Sequence, residues 1–354
     1  AMSVFGERFK SARLLKGYSL QDLADILENR VSRQALHRYE KGEVVPSVEM
    51  IEVIAKALDL LPDFFYRKVV VDIKDIEFRK QEKLSVKEQT KIKEQTREYL
   101  SRYLELEEIV GLSSEFENPF LGDNMDAVGI KADYWAECLR EKWNLGNNPI
   151  YNVVELLEEK NIKIIKLDAD DSFDGLKATI NESIPVIVFN EKNQEKQDRI
   201  RFTLLHELGH ILFSDYLKDL PEAQKEIICH QFAGAMLMPA KTLQMKLGEH
   251  RTKISFAELA NIKQQYGISM QALIMRAKDC GIINDNYTRQ FFFMIKQLGW
   301  KINEPIVYEG REESTRFKQL LFRAFSENLI SEEKAASLNN NQSVADFRRE
   351  YMLS

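Results

Sequence analysis

The sequence predicts an α+β protein: mostly α, with a small antiparallel sheet. Three observations carry this. Apolar residues recur three and four apart along much of the chain, beginning with Phe5, Phe9, Ala12 and Leu15. Three short β-branched segments separated by turn residues, NIKIIKLDA, FDGLKATIN and IPVIVFN, lie between residues 161 and 190. Upstream of them, a run rich in Lys and Glu carries only a narrow apolar stripe at helical spacing.

With 354 residues and 44% hydrophobic content, the chain has material for more than one core. The patterning divides it into regions 1–66, 67–128, 129–250 and 251–354. A net charge of -6 excludes a protein that binds nucleic acid through overall basicity, and leaves room for a local basic face. The three cysteines, Cys138, Cys229 and Cys280, are far apart and form no C-x-x-C, which excludes a disulfide framework or a cysteine-built zinc site. The start AMSVFGERFK is not an apolar leader and no run is long enough to span a bilayer, so a cytoplasmic protein with no membrane partner is expected.

In region 1–66, Gly17 ends the first helix and Ser19 caps a second, with Asp22 at the capping-box position. Ser32 caps a third helix that Gly42 ends. Pro46 and Ser47 open a fourth, with Ile51, Ile54, Ala55 and Leu58 on one side, and PDFFYR closes the set. Five short helices with a tight second-to-third connection make a helix-turn-helix pattern.

The stretches YSLQDLADIL and VSRQALHRYEKGEVVPS, with Glu40, Lys41, Gly42 and Pro46 in the tail, resemble the lambda-repressor or Xre family over nearly all of this region. The resemblance implies an operator in double-stranded DNA as partner, with the third helix entering the major groove by its N-terminal end. Arg33, Gln34, His37 and Arg38 then face the DNA, and the backbone amides near Ser32 suit a phosphate. Xre-type proteins usually read two half-sites as dimers, so a homodimer is also implied. The competing reading is a protein-binding use of the same fold, with these side chains merely solvated.

Region 67–128 opens with an extended or strand segment, YRKVVVDIKDIEFRK. A long helix follows, whose stripe is Ile92, Tyr99, Tyr103, Leu106 and Val110. Such a stripe suits a two-helix contact, either an intramolecular strut or a dimer seam. GLSSEFENPFLGDNMDA reads as a linker.

In region 129–250, two amphipathic helices precede the three strand segments, and RFTLLHELGHILF follows them. His206 and His210 are four apart, on one helix face, with Glu207 beside them. Two imidazoles, a carboxylate base and an open position are what a zinc hydrolase needs, so Zn2+ is the expected cofactor. The third ligand has to come from downstream. EAQKEIICHQFAGAMLMP is a second helix after a short loop, and its Glu226 is a chemically sound choice.

RFTLLHELGH and EIICHQFAGAMLMP together resemble the ImmA/IrrE family of metallopeptidases, whose second motif reads E-x-x-A-N-x-F-A-x-x-L-M-P. The match puts Glu226 at the family's ligand position. It also shows a departure: Cys229 and His230 stand where Ala and Asn are usual. Cys229 reads as a small packed residue. His230 shares a face with Glu226, placing it to orient a ligand, stabilise an oxyanion or bind metal, and it joins Glu207 as a catalytic candidate. Tyr216 is a second oxyanion candidate. By resemblance, such a protein is a DNA-binding regulator with a zinc-dependent endopeptidase that cuts a partner repressor or antitoxin. The alternatives are a regulator in which zinc only holds or senses, and a toxin–antitoxin component.

Region 251–354 reads as further helices, among them a pair joined at Tyr266-Gly267 that lacks a basic reading helix, and a last group broken at Asn339–Asn341.

Overall fold

The computed structural model describes residues 4–68, 71–80, 84–123, 131–193 and 196–353. It is mostly helical with one small sheet, as expected, and forms two compact units. The first comprises residues 1–115, 163–192 and 315–354; the second comprises 116–162 and 193–314. None of the described helices is long and apolar enough to cross a membrane.

The first unit opens with α1 (Val4–Leu15), α2 (Leu20–Ile26), α3 (Arg33–Glu40), α4 (Val48–Ala57) and a 3-10 turn, Pro62–Tyr66. Ser19, Ser32 and Ser47 cap α2, α3 and α4 through side-chain oxygens that accept backbone N–H groups, as their spacing predicts. Phe9, Leu23, Leu36, Ile54, Phe64 and Phe65 are buried together as the core of this bundle. Two polar features fix its first helix. A Cβ on Gly6 would lie 2.6 Å from the Glu40 carbonyl oxygen, so only glycine lets α1 run this close to the end of α3. Arg13 donates to both Glu40 oxygens, at 2.6 and 3.2 Å.

The same unit holds β1 (Ile73–Lys80), α5 (Val86–Ile109), β2 (Lys163–Leu167), β3 (Phe173–Ile180), β4 (Ile184–Asn190), α14 (Arg316–Ser326), α15 (Glu332–Leu338) and α16 (Val344–Met352). Strand order is β1-β3-β4-β2. The sheet is mixed rather than wholly antiparallel: β1–β3 and β3–β4 are antiparallel, but β2–β4 is parallel. Two successive reversals, β2 to β3 and β3 to β4, return β4 to the direction of β2, and β4 then pairs beside it. Its continuous run IPVIVF suits a strand buried on both faces better than an alternating edge.

Ile92, Tyr103 and Leu106 of the α5 stripe are buried. Ile92 joins the core under the sheet, while Tyr103 and Leu106 pack with Phe317, Leu321, Ala336 and Phe347 of the C-terminal helices. Of the two readings of this stripe, the strut is the one formed within the unit. Glu98 of α5 also gathers arginines, accepting from Arg8 at 2.9 Å and Arg67 at 2.7 Å.

The second unit contains α6 (Ala132–Lys142), α7 (Val153–Glu159), α8 (Gln197–Leu217), α9 (Glu222–Leu237), α10 (Ala240–Leu247), α11 (Phe256–Tyr266), α12 (Met270–Asp279) and α13 (Asp285–Gln297). The expected linker is partly anchored here. Phe120 is fully buried, with its ring 5.5 Å from Trp135 and 5.3 Å from Phe213, and Asn118 donates to the Leu212 carbonyl. Residues 124–127 of that linker lie outside the described residues.

Candidate metal centre and nucleic-acid interface

α8 carries His206, Glu207 and His210, and α9 brings Glu226 to them. The two helices meet at a glycine. A Cβ on Gly209 would stand 3.2 Å from Cys229 Sγ and 3.2 Å from a Phe232 ring carbon. The glycine of HELGH is therefore a point of close approach between α8 and α9, and Cys229 is the buried small residue facing it. This crossing carries Glu226 to both imidazoles: one oxygen is 3.1 Å from His206 Nε2, the other 2.9 Å from His210 Nε2. The His206 and His210 side chains are only 12% and 15% exposed.

His230 lies one turn further along α9. Its ring centroid is 4.3 Å from that of His206, and its Nδ1 is 2.7 Å from the Glu226 carbonyl oxygen. A carbonyl only accepts, so Nδ1 carries the proton, and in the neutral ring Nε2 keeps its lone pair. Ligand atoms of His206, Glu226 and His230 all lie within 4.8 Å of one another. Glu207 is buried, with a carboxylate oxygen 3.3 Å from His206 Nδ1.

This donor set fits zinc. Ligands at about 2.0–2.2 Å from a tetrahedral Zn2+ stand roughly 3.3–3.5 Å apart. Each imidazole stands slightly closer than that to one of the two Glu226 oxygens, at 3.1 and 2.9 Å. Two imidazoles and one carboxylate are a catalytic zinc set.

Other parts of the second unit hold α8 in place. Arg201 is fully buried. It donates to Glu312 at 2.5 Å and to the carbonyls of Ile150, Gly267 and Tyr266 at 2.6, 3.1 and 3.2 Å. Burial pushes the Glu312 carboxyl up, while Arg201 opposes the shift. Sequence reasoning missed this pair: a charged residue in the apolar run RFTLL was a signal for Arg201, but the loop around Glu312 offered none. The hydroxyl of Tyr216, the other oxyanion candidate, is engaged with backbone carbonyls. It is 3.1 Å from the carbonyl oxygens of Phe120 and Asp123, and ties down the chain before α6. His250 is exposed.

In the first unit, α3 turns Leu36 and Glu40 inward. Ser32, Arg33, Gln34, His37 and Arg38 are all exposed. Ser32 caps the helix start by accepting from Ala35 N–H at 3.2 Å. Arg38 is loosely paired with Glu43 at 3.5 Å. Arg33, Gln34, His37 and Arg38 thus lie at i, i+1, i+4 and i+5 along the solvent side of one helix, a spacing that can face a groove.

Two family models match separate parts of the chain, the second taking in residues of both compact units. Residues 9–65 match the helix-turn-helix family, and residues 157–278 match the IrrE N-terminal-like domain, a peptidase family. Over 64 residues, 18% of this chain, it is 36% identical to the SPbeta prophage-derived uncharacterized HTH-type transcriptional regulator YonR of Bacillus subtilis, covering 57% of that protein. It is 41% identical over 64 residues to uncharacterized HTH-type transcriptional regulators of Rickettsia prowazekii and Rickettsia conorii, covering 48% and 50% of them. The chain spans about half the length of the curated relatives it matches.

Bundle and matches together define a helix-turn-helix chain extended by a peptidase-family domain. More narrowly, the chain carries an Xre-like helix-turn-helix domain followed by a metallopeptidase-family domain of the IrrE/ImmA type.

Proposed function

We propose that this protein is a DNA-binding transcriptional regulator whose IrrE-like domain is a zinc-dependent endopeptidase acting on a partner repressor or antitoxin. The observation that carries the catalytic half is the Glu226 carboxylate, which reaches both His206 and His210 from a second helix. In this reading His206, His210 and Glu226 hold Zn2+, which when bound supplies a Lewis acid beside the scissile carbonyl. Glu207 takes a proton from the attacking water and passes it to the leaving amine. His230 is tied through Nδ1 to the Glu226 carbonyl, which leaves Nε2 for the substrate. Ser32, Arg33, Gln34, His37 and Arg38 read the operator, as a homodimer on paired half-sites, and the protein works in the cytoplasm. The regions 1–66, 67–128, 129–250 and 251–354 serve as reader, connector, peptidase and helical C-terminal part.

One observation favours a second reading. Were His230 a fourth protein ligand beside His206, His210 and Glu226, the coordination would be closed, and closed four-ligand sites are structural or sensing sites. The two readings part at Glu207. The zinc-loaded protein is incubated with the repressor or antitoxin encoded beside it, and fragments are sought by mass spectrometry. Cleavage by the wild type and none by Glu207→Gln is expected. No cleavage by either, or equal cleavage by both, would sink the peptidase reading.

A further inference from the structure

We infer that a cavity beside the candidate metal centre seats one bulky apolar side chain of the bound peptide and thereby selects which bond is presented. The inference rests on the peptidase reading above and names the substrate class of that site. The cavity measures about 360 Å³. Ligand pockets run from roughly 300 to 1,000 Å³, so this one has room for a single large side chain rather than several residues. Its walls come from four helices: Phe202 of α8, Ile227 and His230 of α9, Ala272 and Met275 of α12, and Phe292 of α13. Phe292 lies beyond residue 278, where the IrrE-like match ends, so part of this wall comes from outside the matched region.

His230 joins the cavity to the metal centre. Its ring is 4.3 Å from the His206 ring on one side and 5.8 Å from Phe202 on the other. Along an extended peptide, successive side chains project to opposite sides. A carbonyl held at the His206–Glu226 cluster therefore sends a neighbouring side chain past His230 into the cavity. The walls are mostly apolar, and of the two charged groups among them Asp279 lies near Arg276, which is itself already engaged. Arg276 donates to the Met238 carbonyl at 2.9 Å and to Asp133 at 2.9 Å. A second cavity, of about 610 Å³, shares Phe202, Gln271 and Ala272 with the first and gives the rest of the peptide a continuous path.

The test uses the zinc-loaded full chain and two readouts. In a peptide library read by mass spectrometry, Leu, Met or Phe is expected at one position adjacent to the cut bond, favoured over Gly by on the order of 10- to 100-fold in kcat/KM. Ala272→Phe fills the cavity and should turn that preference toward small residues. Met275 is 41% exposed, so Met275→Asp keeps the fold while placing a charge on the wall, and should cut the apolar preference at least tenfold. Independently of hydrolysis, saturation-transfer NMR should detect N-acetyl-L-phenylalanine amide but not N-acetylglycine amide, and both variants should lose the signal. Cleavage with no preference beside the cut bond overturns the inference. So does phenylalanine-amide binding that survives both substitutions, or its absence from the wild type. Phenylalanine-amide binding without hydrolysis of any peptide upholds the cavity and defeats the peptidase reading alone.

Discussion

On α3, five candidate side chains from Ser32 to Arg38 stand exposed along one short capped helix. On α8 and α9, His206, His210 and Glu226 converge to 2.9 and 3.1 Å, and the imidazoles are mostly buried. The first arrangement is made by a single element and its cap, so each side chain acts nearly alone. The second exists only where two helices cross at Gly209, so its members stand or fall together. Changes in the two regions should therefore differ in size, in additivity and in what else they disturb.

The largest separation should come from Glu226→Gln. Loss of outer partners alone costs about 10- to 100-fold in metal affinity, so loss of a ligand should cost at least about 100-fold. Zinc affinity measured by chelator competition should fall by that much, and hydrolysis should vanish. Operator affinity measured by anisotropy should stay within twofold. Unchanged zinc affinity would show that Glu226 is not a ligand.

Gly209→Val strikes the crossing itself. A branched side chain there meets Cys229 and Phe232 at 3.2 Å, and overpacking of this kind costs about 1–3 kcal/mol. Both the midpoint of chemical denaturation and zinc affinity should drop, although no proposed ligand is altered. If stability falls while zinc affinity holds, the crossing positions less of the site than the geometry implies.

The same contrast explains what could be read from sequence. The three serine caps of α2, α3 and α4 were legible because capping is local, set within four residues of one another. His206, Glu207 and His210 were legible for the same reason, and Glu226 because its helix follows after a short loop. The parallel β2–β4 pair was not, since the strand segments carry no mark of which neighbour each chooses. Arg201 and Glu312 are 111 residues apart, and no periodicity links a helix residue to a loop carboxylate. The burial of the α5 stripe by C-terminal helices was open for a like reason: the stripe announces a partner, but not whose.

At the reading helix, Arg33→Ala and Gln34→Ala should each weaken operator binding. A bidentate base contact is worth about 1–3 kcal/mol, and exposed flexible side chains belong at the low end. The loss should depend on the operator base beneath each residue, whereas zinc affinity and peptide cleavage stay unchanged. A uniform loss across operators would recast them as phosphate contacts.

The smallest effects belong to a device that both units share, the capping box. In the first unit Ser19 pairs with Asp22, whose carboxyl is held below its usual range by the Ser19 backbone N–H and then its hydroxyl. In the second, Ser255 pairs with Glu258, which is brought down from 4.5 to about 2, first by Arg251 and then by the Ser255 backbone N–H and hydroxyl. A carboxyl held lower in the folded chain stabilises it above the unfolded value, and that contribution is lost as pH falls toward the folded one. Glu258→Gln should therefore lower the melting temperature at pH 6 and less so at pH 3, with the gap to wild type closing from about pH 4.5 toward pH 2. Because the Arg251 and Glu258 side chains are still 30% and 36% exposed, water screens the pair and the effect should stay below about 1 kcal/mol. Raised salt should shrink it, since exposed charges are screened. At Asp22 the Ser19 hydrogen bonds come first and the charge of Lys87 last, so its acid-sensitive share should respond less to salt. A gap at Glu258 that ignores salt would mean the cap, and not Arg251, sets its acidity.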